Sequence, residues 1–224
     1  MGMSNIYRDI SERTEGKLFV GVVGPVRTGK STFIKRFMEK IIIPTLNDPF
    51  MLERTRDELP QSGSGKTIMT AEPKFIPEEA ICIEVENDMK CSVRLVDCVG
   101  YMVNGATGNI EDGGERMVMT PWYDHEVTIS KAAEEGTRRV ISDHSNIAVV
   151  VTTDGSVCGI DRSNYIRAEE RTVEELKAAE KPFVILLNCN DPCSNESLNL
   201  AKELAAKYNC ECFAVNCLQL EKGI

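Results

Sequence analysis

Gly24-Pro25-Val26-Arg27-Thr28-Gly29-Lys30-Ser31 fits the pattern G-x-x-x-x-G-K-[ST] at every fixed position. The apolar run Leu18-Phe19-Val20-Gly21-Val22-Val23 precedes it and reads as a buried strand. An amphipathic run over 31–42 follows and reads as a helix. Strand, glycine-bounded turn and helix start aim several backbone N–H groups, and the positive end of the helix, at one anion. A chain with this unit is restricted to an α/β architecture around a parallel strand, and the unit predicts binding of a nucleoside triphosphate.

The remaining pattern agrees with that architecture. Strands are expected at 18–23, 81–85, 93–96, 147–152, 183–187 and 212–215, and helices at 31–42, 130–143, 164–179 and 196–208. Two strands in a row after the first helix, then strict alternation, describe a three-layer α/β domain. Its sheet is mostly parallel with one antiparallel pair. The runs at 147–152 and 183–187 are almost wholly apolar, as expected of strands covered on both faces. One domain over 18–224 and an extension over 1–17 are expected. Two irregular stretches, 44–77 and the Gly-rich 99–127, are long for connections inside a compact domain. They fall where the terminal-phosphate switches of a phosphate-loop nucleotidase would lie.

Charge and cysteine content narrow the function further. The formal charge of −9 opposes broad nucleic-acid binding, because a phosphate backbone would be repelled. One triphosphate needs only a local positive site. No apolar stretch approaches the ~20 residues of a membrane span, and the polar, mixed-charge start is not expected to be a signal peptide. Nine cysteines, an odd number without scaffold spacing, read as reduced thiols of a cytosolic protein. Cys189-x-x-x-Cys193 and Cys210-x-Cys212 with Cys217 miss the paired C-x-x-C spacing of zinc knuckles, so buried thiols are the simpler reading.

Several residues are candidates for the chemistry. Lys30 is expected to reach the β- and γ-phosphates, and Ser31 to ligate Mg²⁺. Gly24, Arg27, Thr28, Gly29 and Thr32 complete the candidate cradle. Arg94-Leu95-Val96-Asp97 ends a strand in an acid, and Asp97-Cys98-Val99-Gly100 fits D-x-x-G. Asp97 would hold the metal shell and the Gly100 N–H would meet the terminal phosphate. Thr70, in the first long stretch, is the favoured sensor threonine and metal ligand, ahead of Thr67. Gly63-Ser64-Gly65-Lys66-Thr67 imitates a second phosphate loop but lacks the first glycine, which falls at Pro60. Asn188-Cys189-Asn190-Asp191 stands where GTPases carry N-K-x-D, with Cys189 replacing the lysine. Either Asn188 and Asp191 hold a base, or the segment is a turn closed by Pro192. Tyr101 follows D-x-x-G where a water-positioning Gln would be. Arg27 either stabilises charge on the transferring phosphoryl group or pairs with an exposed acid. Glu169, Glu170, Glu174 and Glu175 read as a solvated helix face.

Taken together, these stretches resemble one family. Gly21-Val22-Val23-Gly24 with Val26-Arg27-Thr28-Gly29-Lys30-Ser31-Thr32-Phe33-Ile34-Lys35, Asp57-Glu58-Leu59-Pro60-Gln61-Ser62, Gly65-Lys66-Thr67-Ile68-Met69-Thr70, Arg94-Leu95-Val96-Asp97-Cys98-Val99-Gly100-Tyr101 and Thr120-Pro121-Trp122-Tyr123 carry the resemblance. Thr152-Thr153-Asp154-Gly155 and Ala168-Glu169-Glu170-Arg171 extend it. The chain resembles the ATPase domain of the stage IV sporulation protein A family, spore-coat morphogenetic ATPases of endospore-forming bacteria. The resemblance implies a phosphate-loop fold related to translation-factor GTPases that hydrolyses ATP with Mg²⁺. It further implies self-association into filaments as the coat basement layer, in the mother-cell cytoplasm at the outer forespore membrane. Implied partners are spore-coat proteins and a small membrane-bound amphipathic sporulation peptide. The implied roles are Lys30 and Ser31 in the phosphate loop, Asp97 in the Walker B position and Thr70 as sensor. A GTPase-type switch and a nucleotide-binding scaffold without significant turnover are the alternatives.

Overall fold

The computed structural model describes residues 16–60, 72–85, 89–111 and 113–220. A six-stranded sheet forms the middle layer. In chain order its strands are β1 (Lys17–Val23), β2 (Lys74–Val85), β3 (Met89–Asp97), β8 (Ile147–Thr153), β9 (Phe183–Asn188) and β10 (Cys212–Val215). Across the sheet the order is β10-β9-β8-β1-β3-β2. All pairings are parallel except β2 with β3. This is the expected α/β sheet with its single antiparallel pair.

The helices are α1 (Lys30–Phe37), α2 (Pro49–Asp57), α3 (Ile129–Arg139), α4 (Ile166–Ala178) and α5 (Asn195–Tyr208). Burial of consecutive strand residues on opposite faces requires the two outer layers. Val22, Val151 and Leu186 pack with Phe33, Ile34 and Met38 of and beyond α1. Val23, Val150, Ile185 and Leu187 pack with Val140, Val173, Leu176, Ala201 and Leu204 on the α3, α4 and α5 side. That removal of both faces from water explains the unbroken apolar runs.

Four boundaries differ from expectation. The first helix becomes a wider π turn at Met38–Ile42, ahead of Pro44. The stretch 44–77 contains α2, whose Asp48 side chain accepts from the Phe50 N–H at 3.0 Å, with Pro49 in the first turn. An Asp-Pro pair is as good a helix start as it is a turn. β2 begins at Lys74, seven residues before the expected 81, because Pro77 sits at a register break between Ile76 and Ile81 on an edge strand. The stretch 99–127 carries two short ladders, β4 (Ile110–Glu111) with β5 (Gly114–Glu115), and β6 (Met117–Val118) with β7 (Val127–Thr128).

The solvated-face reading of the α4 glutamates is wrong at Glu169. That residue is fully buried. Its carboxylate accepts from Thr152 Oγ1 at 2.5 Å and Tyr208 Oη at 2.8 Å, and pairs with Arg162 at 2.6 Å. α4 is covered by β8 and α5 on the side that carries Glu169, and burying its carboxylate there requires these partners. The nine cysteines are free thiols. Cys82 is exposed and faces outward on the edge strand β2.

Candidate nucleotide site

The carboxyl ends of β1, β3, β8 and β9 open on one rim, where ligands of such sheets bind. The phosphate loop leaves β1 there and ends at Gly29, the residue before α1. Its two glycines are forced by close approach. A Cβ on Gly24 would lie 2.4 Å from the Val151 carbonyl oxygen, and one on Gly29 would lie 2.4 Å from Asn188 Nδ2. Arg27 at the loop apex has φ 64°, a left-handed conformation rare for a side chain of this size.

Lys30 is 5% exposed, and its Nζ donates to Pro25 O at 2.6 Å and Gly24 O at 3.4 Å. An ammonium has three donors, so it is tethered inside the loop with one direction left. Burial holds its pKa below the ordinary lysine value, against the pull of the Asp97 charge. The expected reach of Lys30 toward phosphates therefore starts from this folded-back position. Thr28 Oγ1 donates to Pro25 O at 3.0 Å and stiffens the same turn. Thr32, one residue beyond Ser31 on α1, is half-buried.

Ser31 Oγ donates to Asp97 Oδ2 at 2.7 Å, across 66 residues of chain. The other carboxylate oxygen, Asp97 Oδ1, is buried without a hydrogen-bond partner. Burial raises the Asp97 pKa, opposed by the Ser31 hydrogen bond and the Lys30 charge. A buried hard oxygen left open beside a serine hydroxyl is the donor chemistry that Mg²⁺ takes, together with phosphate oxygens. The residues present therefore fit the ion. Lys74 stands opposite Asp97 in the β2–β3 register and adds a positive charge nearby, which no motif announces.

Gly100 lies over the mouth of the loop. A Cβ there would meet Gly24 O at 2.1 Å and Lys30 Nζ at 2.6 Å. Tyr101 then rejoins the phosphate loop: Val26 N donates to Tyr101 O at 2.8 Å. On the opposite side, Asn188 braces the loop from below. Its Nδ2 donates to Thr28 O at 2.9 Å and its Oδ1 accepts from Cys217 N at 3.0 Å. Both ends of that amide are spent on main chain. Cys189 is fully buried and turned toward Val215 O at 3.6 Å. Asp191 is exposed, with Oδ1 accepting from Cys193 N at 3.1 Å. Asn190 is tied to Ser156, and Asn216 to Asn190, so three loops form one rim. These cross-links have no local signature.

The structure brings together Gly24, Arg27, Thr28, Gly29, Lys30, Ser31, Thr32, Asp97, Gly100 and Asn188 around one loop; Asp191 sits on the outer rim. Thr70, Thr67 and the Gly63–Thr67 imitation of a loop lie outside the described residues.

A model of the stage IV sporulation protein A ATPase domain matches residues 1–223. The chain belongs to that family. It is 53% identical over 219 residues to stage IV sporulation protein A of Clostridioides difficile (strain 630), covering 98% of this chain and 45% of that one. It is 49% identical over 212 residues to the Bacillus subtilis (strain 168) protein of the same name, covering 95% of this chain and 43% of that one. The chain thus spans less than half the length of these relatives. A crystal structure of an SsGBP mutation variant covers 96% of this chain and 54% of its own, at 13% identity and a TM-score of 0.46. The stage IV sporulation protein A match settles the resemblance read from the loops, and with it a sporulation family and an ATPase domain. Among the described residues, no helix is long and apolar enough to cross a membrane.

Proposed function

We propose that this chain is a Mg²⁺-dependent ATPase whose turnover drives self-assembly of the spore-coat basement layer. The observation that carries the chemistry is the Ser31–Asp97 pair with its open, buried Oδ1, set beside a tethered Lys30. Ser31 and Asp97 would hold the metal, with Thr70 as third ligand and sensor on the strength of the resemblance. Mg²⁺ bound there would supply charge neutralisation to the polyphosphate.

The chain's own groups do the rest. Loop amides from Arg27 to Ser31 and the third Lys30 N–H bind the polyphosphate, and the Arg27 and Thr32 side chains flank it. The Gly100 N–H, which faces the Cys98 thiol in the structure, would turn to the terminal phosphate. Loss of that phosphate frees the Gly100 and Thr70 segments, which transmits hydrolysis to assembly. The base lies toward Asn188, Asp191 and the cross-linked rim. Cys189, buried and facing β10, leaves no lysine to cover a guanine, which favours ATP over GTP. Residues 18–224 form the ATPase unit and 1–17 an extension, with switch-like segments in 44–77 and 99–127. Self-association, spore-coat proteins, a membrane-bound amphipathic sporulation peptide and a mother-cell location at the forespore surface belong to the same proposal, and the family resemblance supports them.

Calorimetry with Mg·ATP tests this reading. Lys30→Ala is expected to lose measurable binding, and Asp97→Asn to keep binding while phosphate release drops to background. Undiminished ATP affinity in Lys30→Ala, or a GTP affinity well above that for ATP, overturns it.

A further inference from the structure

Parallel pairing of β1 with β3 ends at Val22 opposite Asp97, and resumes at Pro25 opposite Tyr101. The β1 side advances three residues between those points and the β3 side four, so Cys98-Val99-Gly100 arches over the phosphate loop. Whatever fixes Tyr101 therefore fixes how far Gly100 stands from the cradle.

Tyr101 is fixed from a distance. Its ring is 2% exposed and packs in a cluster with Val26, Val103 and Tyr165. Its hydroxyl donates to Glu175 Oε2 on α4 in a short contact. The Arg171 guanidinium lies 4.2 Å over the ring and binds Glu175 Oε1 at 3.1 Å. Arg171 is itself gripped by Glu134 of α3 through two hydrogen bonds of 2.7 and 3.2 Å. A phenylalanine would fill the same apolar space without dehydrating a carboxylate. Packing therefore does not account for the hydroxyl, whose burial has to be compensated by a specific partner.

We propose that Tyr101 is a positioning residue: anchored on Glu175, it sets Gly100 against the Gly24–Pro25 limb so that the site distinguishes a terminal phosphate from its absence. The proposal rests on the nucleotide-site reading above and adds a determinant on α4, outside every motif. ADP does not reach the Gly100 arch, whereas a triphosphate does, so only the triphosphate senses the anchor.

The test compares affinities for ATPγS and ADP with Mg²⁺, by calorimetry, alongside melting temperature. In Tyr101→Phe the ATPγS-to-ADP affinity ratio falls about tenfold, the size of one lost charge-assisted hydrogen bond. ADP affinity stays within about twofold. Glu175→Gln keeps an oxygen acceptor and holds the ratio near wild type. Glu175→Leu behaves as Tyr101→Phe, and the double variant falls no further than either single one. An unchanged ratio in Tyr101→Phe overturns the proposal. So does equal weakening of both ligands, which is the mark of general loosening, and so does a wild type that binds both ligands alike. Should Glu175→Leu melt below the assay temperature, Tyr101→Phe and Glu175→Gln decide. Wild-type discrimination without phosphate release sinks the ATPase reading and leaves this one standing.

Discussion

Substituting Gly100 by alanine probes the geometry on which the site depends. The residue has φ +92°, and the added Cβ would sit 2.1 Å from Gly24 O, 2.6 Å from Lys30 Nζ and 3.1 Å from the Pro25 carbonyl carbon. The left-handed conformation alone costs an alanine about 1–2 kcal/mol. Ordinary contact needs roughly 3.5 Å, so the arch must also retreat from the loop carbonyl by about 1.4 Å. Overpacking of that kind adds about 1–3 kcal/mol, for a total of roughly 2–5 kcal/mol. A 1 Å displacement beside the reacting phosphate lowers turnover about 100-fold. Two other glycines separate the contributions. Gly113 has φ +80° and nothing within 4 Å of an added Cβ, so Gly113→Ala pays the conformational cost alone. Gly114 has open space and no positive φ, and Gly114→Ala is expected to be neutral or slightly stabilising. Urea unfolding and phosphate release are measured for all three. If Gly100→Ala unfolds with Gly113→Ala and hydrolyses ATP like Gly114→Ala, the arch does not press on the loop and the reasoning fails.

Two further outcomes follow from the ion pairs. Glu169→Leu removes the carboxylate that pairs with Arg162 and accepts from Thr152 and Tyr208, and lowers stability by about 3–5 kcal/mol, read from urea midpoints; a loss below about 1 kcal/mol would mean the network is hydrated. Hydrogen bonding from Arg171 holds the Glu134 pKa below the usual carboxylate value. A depressed folded pKa gives stability that is present above the unfolded value and lost as pH falls through the folded one. The stability gap between wild type and Glu134→Gln is thus expected at pH 7 and should close as pH falls below the ordinary glutamate range; a gap that widens in acid contradicts the pairing.

Local sequence determined much of this protein. Apolar runs, the G-x-x-x-x-G-K-S turn and D-x-x-G each act within a few residues, so steric and periodic rules placed β1, β8, β9, β10 and α5 and the start of α1 near their observed bounds. The same locality makes the candidate residues Lys30 and Ser31, and separately Asp97 and Gly100, legible, because each pair belongs to a short motif of nearby residues. The errors share a cause as well. Asp48-Pro49 serves a turn and a helix start equally, and only packing on the helix decides between them. Pro77 argues against a strand unless the strand lies at an edge, which is a property of the sheet.

Tertiary structure alone decided the rest. Four glutamates on α4 look alike along the chain, yet Glu169 is sealed under β8 and α5, and Glu175 holds Tyr101 from 74 residues away. Asn188 became a brace because Thr28 O and Cys217 N converge on its amide. Hydrogen bonds and desolvation act over a few ångströms of space and take no account of distance along the chain. A sequence therefore states which groups exist and how its short segments bend, while the fold decides which groups lose water and in whose company.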